Sequence, residues 1–365
     1  MKKATNYSLL FYVVLLAAIY FIGSRVIGLT GLNFDEPMVF LIIALVLGFI
    51  FNVVLLELGH ILGAKMGGYK TYSVSLLGLV IYKKEGKWKI GYDSNYDGFT
   101  GETKVVPYKE KTNPMSMFWG GSILLIIEIA VFVLLPTIVD SQVIKSGGYI
   151  FAVVAGAILI YNIAPIRLDS TNDAALMKYV KGENVEIYNM ICQIQYDLYE
   201  GKPLNNIKVV EDINYISGKL NYYASLEKIY KGELEDAEKI IDKLIENSEK
   251  LSDDIFSELL STKLYILTLT KEREEVEKYY TSLSAQDRKY INASNSIQGC
   301  RNYLLFISLI IEDVQEARDS YNKYKTAKAK LKEIGRLNEE EKLLEEVKNK
   351  IALAHPEWDL EKEVL

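Results

Sequence analysis

The chain has 365 residues, half of them apolar and a quarter charged, a mixture too apolar for an ordinary soluble domain and too charged for a bundle lying wholly in lipid. Divided after Val180, it carries 15 Lys and Arg against 12 Asp and Glu in the first part and 27 against 36 in the second, for net charges of +3 and −9. The acidic second part excludes nucleic-acid binding, which needs a basic face to displace counterions from phosphates, and two cysteines, Cys192 and Cys300, far apart in sequence, make neither a disulfide framework nor a cysteine zinc site.

Four runs are long and apolar enough for a hydrocarbon core that takes about 20 helical residues to cross. They cover residues 8–28, 38–66, 114–139 and 149–168. The first follows two lysines in the manner of a signal peptide. Its apolar run is long and no small-residue cleavage site closes it, so it reads as a retained helix. Orientation follows from the lysines, which concentrate in short cytoplasmic loops. The loop between the second and third runs holds Lys70, Lys83, Lys84, Lys87, Lys89, Lys104, Lys109 and Lys111, whereas the other two connections hold at most Lys145. Both chain termini are therefore expected in the cytoplasm of a multi-pass cell-membrane protein, and unpaired cysteines suit that reducing compartment. Within the basic loop, residues 71–82 are rich in Val, Ile, Leu and Tyr, and Lys84-Glu85-Gly86-Lys87 forms a polar turn before Trp88–Tyr92. This pattern predicts a β-hairpin, a structure able to hold an extended peptide by strand addition.

The second run ends in Leu55-Leu56-Glu57-Leu58-Gly59-His60-Ile61-Leu62-Gly63-Ala64-Lys65-Met66-Gly67-Gly68. Ionisable groups inside an apolar helix are costly and mark function. The stretch resembles the metal-binding helix of the site-2 protease family of intramembrane zinc metallopeptidases, whose motif is His-Glu-x-x-His. In that motif two histidines on one helix face grip zinc, and the glutamate is general base on the bound water. Glu57 and His60 match, and Leu56 stands where the first histidine belongs.

The family's third ligand is an aspartate after an Asn-x-x-Pro stretch, and Asn162-Ile163-Ala164-Pro165 is followed by Asp169 and by Asp173. The resemblance implies Glu57 as general base, His60 and Asp173 as metal ligands with Asp169 the alternative, and Asn162 and Pro165 as shapers of the substrate cavity. The glycine usual after the aspartate is absent. Trp119-Gly120-Gly121-Ser122 is similar to the family's glycine-rich helix entry, and Glu128, deeper in the same run, is a candidate to line a cavity facing His60. Zinc is the cofactor the family implies. With Leu56 in a ligand place, low occupancy is expected, because a hydrolytic site takes three protein ligands. Asn52, one turn before Leu56, is a substitute donor to consider.

From Glu183 onward charged residues interleave with Leu, Ile and Tyr at helical spacing. Three acidic helix starts place Ala237, Val276 and Ala317 in corresponding positions, similar to a degenerate tetratricopeptide-type array. Such stacked helix pairs offer a curved surface to peptides or proteins. The fold class expected is thus mainly α. A polytopic membrane bundle of four helices with a cytoplasmic β-hairpin spans residues 1–180, and a cytoplasmic helical repeat-like domain spans 181–365.

Three functions fit these features. One is a pseudo-peptidase whose scaffold holds a peptide or membrane-protein segment in the bilayer while the helical domain docks a cytoplasmic partner. Another is an active zinc peptidase with an altered ligand set, or an inactivated variant of one. The third is a membrane anchor for the helical domain.

Overall fold

A computed structural model describes residues 2–31, 37–84, 86–92, 101–164, 172–251 and 253–361. The chain divides into two units, Met1–Val185 and Glu186–Leu365.

Four helices of the first unit are long and apolar enough to cross a membrane: α1 (Lys2–Thr30), α2 (Pro37–Met66), α3 (Pro114–Ile138) and α4 (Gln142–Ile163). Proline at the first position of α2 and α3 suits a helix start, where no backbone donor is lost. The fourth helix differs from expectation. It begins at Gln142 rather than near Tyr149 and closes at Ile163 rather than at Leu168, which lies outside the described residues. Ser141 makes the early start possible, its hydroxyl accepting from Ile144 N (3.5 Å) as an N-cap.

In lipid, helices associate by close packing of small residues, and α2 meets α3 in this way. A Cβ added to Gly59 would stand 2.4 Å from Gly120 O, one added to Gly63 2.1 Å from Ser116 O, and one added to Gly67 2.3 Å from Asn113 O. Three glycines on consecutive turns, two at the end of α2 and one just past it, thus touch the backbone of α3 and its cap. Deeper in the bundle Val53, Leu56, Leu125, Val154, Ala155 and Ile158 form an apolar cluster contributed by α2, α3 and α4.

Between α2 and α3 the single hairpin expected is a four-stranded antiparallel sheet of order β3-β2-β1-β4, built from β1 (Tyr69–Leu76), β2 (Leu79–Lys84), β3 (Lys87–Tyr92) and β4 (Gly101–Pro107). The run 71–82, read as one strand, breaks at Leu77 and Gly78, both of positive φ (49° and 89°), the two-residue turn that suits a hairpin's twist. Leucine is an unusual occupant of that conformation, so composition hid the turn. Pairing sets Leu79 opposite Tyr92 and Ile81 opposite Ile90, leaving one face of the β2–β3 hairpin with exposed Leu79, Ile81, Trp88, Ile90 and Tyr92.

A short helix, α5 (Asp173–Tyr179), closes the first unit. The second unit is built from α6 (Asn184–Tyr199), α7 (Tyr215–Tyr230), α8 (Leu234–Glu246), α9 (Asp253–Thr270), α10 (Arg273–Ser282), α11 (Ala285–Asn292), α12 (Ile297–Phe306), α13 (Val314–Lys330) and α14 (Ile334–Ala354). Short turns join α7 to α8, α9 to α10 and, through a π-helical turn at Ile307–Ile311, α12 to α13. Ala237, Val276 and Ala317, on the second helix of each pair, are fully buried. The extended stretch before α7 is held along that helix by side chains: Asn221 bonds both N and O of Val210 (2.8 and 2.7 Å), and Glu227 accepts from Asn206 N and Ile207 N (2.7 and 2.8 Å). A buried polar layer crosses the helices, with Arg301 bonded to Glu340 (2.7 Å) and lying over the Tyr265 ring. Near the end of the unit His355 is half-buried, stacking on Trp358 with Nε2 2.9 Å from Ser308 O.

Candidate functional site

The close α2–α3 seam decides what His60 and Leu56 face. Four residues apart on a helix, the two side chains share one face. A Cβ placed on Gly121 would stand 2.7 Å from His60 Cε1 and 2.7 Å from Leu56 Cδ1. Glycine at 121 thus admits both, and His60 Nδ1 lies 3.0 Å from Met117 O. A carbonyl only accepts, so Nδ1 carries the proton of this bond.

The other ring nitrogen, His60 Nε2, lies 3.3 Å from Asp173 Oδ2. Two asparagines bring Asp173 there. Asn172 caps α5, its Oδ1 accepting from Ala175 N (3.0 Å), while its amide donates to Tyr161 O and Ala164 O (both 2.7 Å) at the end of α4. Asn162, the last turn of α4, donates to Asp173 Oδ2 (2.6 Å) and to Ser122 Oγ on α3 (3.1 Å). Burial pushes the Asp173 carboxyl above the usual carboxylate range, against the downward pull of His60 and Asn162.

Glu57, one residue round from Leu56, turns to the sheet. Its Oε2 accepts from Thr103 Oγ1 on β4 (2.6 Å), and a Cβ on Gly101 would meet its Oε1 at 2.8 Å. It is nonetheless within electrostatic reach of both His60 and Asp173. All three expected residues therefore converge, from α2 and α5, at a buried position walled by α3, α4 and β4.

Glu128 is not part of this group. It shares a face with Gly121 but lies seven residues further along α3, about 10 Å at 1.5 Å per residue, beside Asn52 rather than His60. Asn52, the substitute donor considered, lies beside Glu128 rather than His60, with its amide turned to Gly48 O (2.7 Å) and Phe151 O (3.4 Å). Asp169 and Pro165 lie outside the described residues.

Sequence reasoning missed Thr103 and Asn172. Asn172 carried a signal, an asparagine directly before an acidic helix start. Thr103 carried none, because its partner is set by strand pairing across the loop.

Compared with known proteins, the chain matches no family model, no curated protein and no solved structure.

The donor set can be tested against zinc on its own chemistry. Among the described residues no group of three or more His, Cys, Asp and Glu side chains is placed to hold a metal ion. A hydrolytic zinc takes three protein ligands and an open position. Here His60 and Asp173 face each other, Glu57 is tied to Thr103, and Leu56 has no lone pair to give and sits in the apolar cluster. The described residues do not fit such a site. They offer hydrogen bonds and charge: an imidazole and two carboxylates largely buried beside a sheet.

Proposed function

We propose that the chain is a membrane-embedded pseudo-peptidase: a site-2 protease-like scaffold that holds a peptide or membrane-protein segment without hydrolysing it, with the helical second unit docking a cytoplasmic partner. The observation that carries this reading is the meeting of Glu57, His60 and Asp173 where the motif's first histidine is replaced by Leu56, itself packed against Val53 and Leu125. Apolar packing at that position builds the core in place of a metal shell. Strand addition to the outer edge of the sheet is the mode by which an extended segment would bind, and the exposed Leu79, Ile81, Trp88, Ile90 and Tyr92 beside that edge supply apolar contacts for alternate side chains.

The test is metal content in the purified, detergent-solubilised chain. Substoichiometric zinc in the wild type and a rise in Leu56→His, abolished again by adding His60→Ala, is the expected pattern. Stoichiometric zinc in the unmodified protein, lost on His60→Ala alone, overturns the reading in favour of an active metallopeptidase with another ligand set.

A further inference from the structure

A second polar group lies in the membrane domain, away from the Glu57 site. Glu128, near the middle of α3, is 5 % exposed, and Asn52, near the middle of α2, is wholly buried. Each bears atoms with no partner: both carboxylate oxygens of Glu128, and Oδ1 of Asn52. Asn52 is the polar side chain beside Glu128. Its amide N–H bonds go to Gly48 O (2.7 Å) and Phe151 O (3.4 Å), which leaves Oδ1 as its unpartnered atom. Three unpartnered oxygens thus lie in this layer.

Water is poorly placed to supply the donor, because the pair lies between two apolar layers. On one side Phe51, Phe132 and Phe151 pack ring to ring, with centroids 5.3–6.1 Å apart. On the other lies the cluster of Val53, Leu56, Leu125, Val154, Ala155 and Ile158. Nor does a basic group reach in from the elements packed against α3. On α2, Glu57 and His60 stand about 8 and 12 Å along the helix from Asn52 at 1.5 Å per residue, beyond the Leu56 layer, and Lys65 is further still. On α4 the titratable groups are Lys145, Tyr149 and Tyr161, and on α5 Asp173, Lys178 and Tyr179; Glu128 bonds none of them. Three oxygens are also too few for a divalent cation, which takes about six to eight.

We propose that Glu128 and Asn52 form a proton-binding site at the middle of the membrane domain, in which the Glu128 carboxyl keeps its proton at neutral pH and donates it to Asn52 Oδ1. One proton joins two of the three oxygens, Glu128 O–H to Asn52 Oδ1, and leaves only the neutral Glu128 carbonyl without a partner, while the Asn52 amide bonds onward to α2 and α4 backbone. An ionised carboxylate in this layer would be unpaired and desolvated. Losing the proton therefore requires α2 and α3 to part and admit water, which makes proton occupancy a lock on the closed bundle.

Infrared difference spectroscopy of the full chain in lipid nanodiscs tests this. At neutral pH the wild type should show a protonated-carboxyl C=O band that is absent in Glu128→Gln and moves to the position of a non-hydrogen-bonded acid in Asn52→Leu. If Glu128→Gln does not fold, the Asn52→Leu shift decides alone. Bands unmoved by either variant overturn the site. So does the loss, in Glu128→Gln, of ionised-carboxylate bands that respond to sodium, since a metal ion would then occupy the proton's place.

Discussion

Replacing Gly63 by alanine adds one methyl group to a helix, and in an isolated helix that change stabilises by about 0.8–1.0 kcal/mol. In this fold the new Cβ would stand 2.1 Å from Ser116 O and 3.0 Å from Met117 Cα. Carbon and oxygen settle at about 3.3 Å or more, so α2 and α3 must separate by about 1 Å along the seam. The obstacle is backbone and has no rotamer to change, which puts the cost at the upper end of the roughly 1–3 kcal/mol that overpacking takes. Net of helix propensity, Gly63→Ala should destabilise by about 2 kcal/mol, close to 30-fold in the folded-to-unfolded ratio. The His60–Met117 bond, 3.0 Å long and one residue from the clash, would be stretched out of range. Thermal unfolding in one detergent, beside Gly156→Ala as reference, measures this. Nothing lies within 4 Å of a Cβ on Gly156, so that variant should equal or exceed the wild type. A Gly63→Ala protein as stable as the wild type, or a Gly156→Ala protein equally damaged, would refute the close-packed seam.

Thr103→Val removes the hydroxyl that donates to Glu57 at 2.6 Å; a loss of about 1.5–3 kcal/mol is expected for a bond to a charged group, with Thr103→Ser close to wild type in the same unfolding assay. In the second unit, burial alone would raise the Glu227 carboxyl, but the Lys231 ammonium and the backbone N–H groups of Ile207 and Asn206 hold it below the usual 4.5. Its folded value lies under its unfolded one, so its contribution is complete above pH 4.5 and is lost as pH falls through the folded value. Glu227→Gln should therefore be less stable than wild type at neutral pH by about 1.5–3 kcal/mol, and urea titrations should show that gap closing in acid; a pH-independent gap would count against the assignment. Glu340→Leu strands the fully buried Arg301 and should cost about 3–5 kcal/mol, most of it recovered by adding Arg301→Met, as read by thermal unfolding of the full chain.

How much of this was legible varies with the range of the interaction responsible. The ends of α2 and α3 lie within a residue of expectation because Pro37, Pro114 and Gly67 punctuate long apolar runs. The start of α4 did not read as helix, since Gln142, Lys145, Ser146 and two glycines have the composition of a loop, and only the Ser141 cap and burial in the bundle make them helical. β4 was missed entirely: Gly101–Pro107 gains its strand character from pairing with β1 some thirty residues earlier, and no local pattern announces that partner. At the site, the four-residue spacing of Leu56 and His60 sets both on one helix face against Gly121, whereas the turn of Glu57 to Thr103 depends on β4 and was not legible. Glu128 was assigned to the right face and the wrong depth. Periodicity reports the angle around a helix and says nothing of how far along it two neighbours meet.

The junction where the sheet leaves the membrane domain carries one more consequence. Only Gly67 and Gly68 separate α2 from β1, and the chain returns to the same two residues: Tyr108 N, just past β4, donates to Gly68 O (3.1 Å), and Asn113 N, at the cap of α3, to Gly67 O (2.8 Å). The sheet is thus joined to the α2–α3 seam at this glycine corner and again further in, through the Thr103–Glu57 bond and Leu76 packed on the apolar cluster. A side chain at position 67, whose Cβ would stand 2.3 Å from Asn113 O, would therefore disturb the helix seam and the seating of the sheet together.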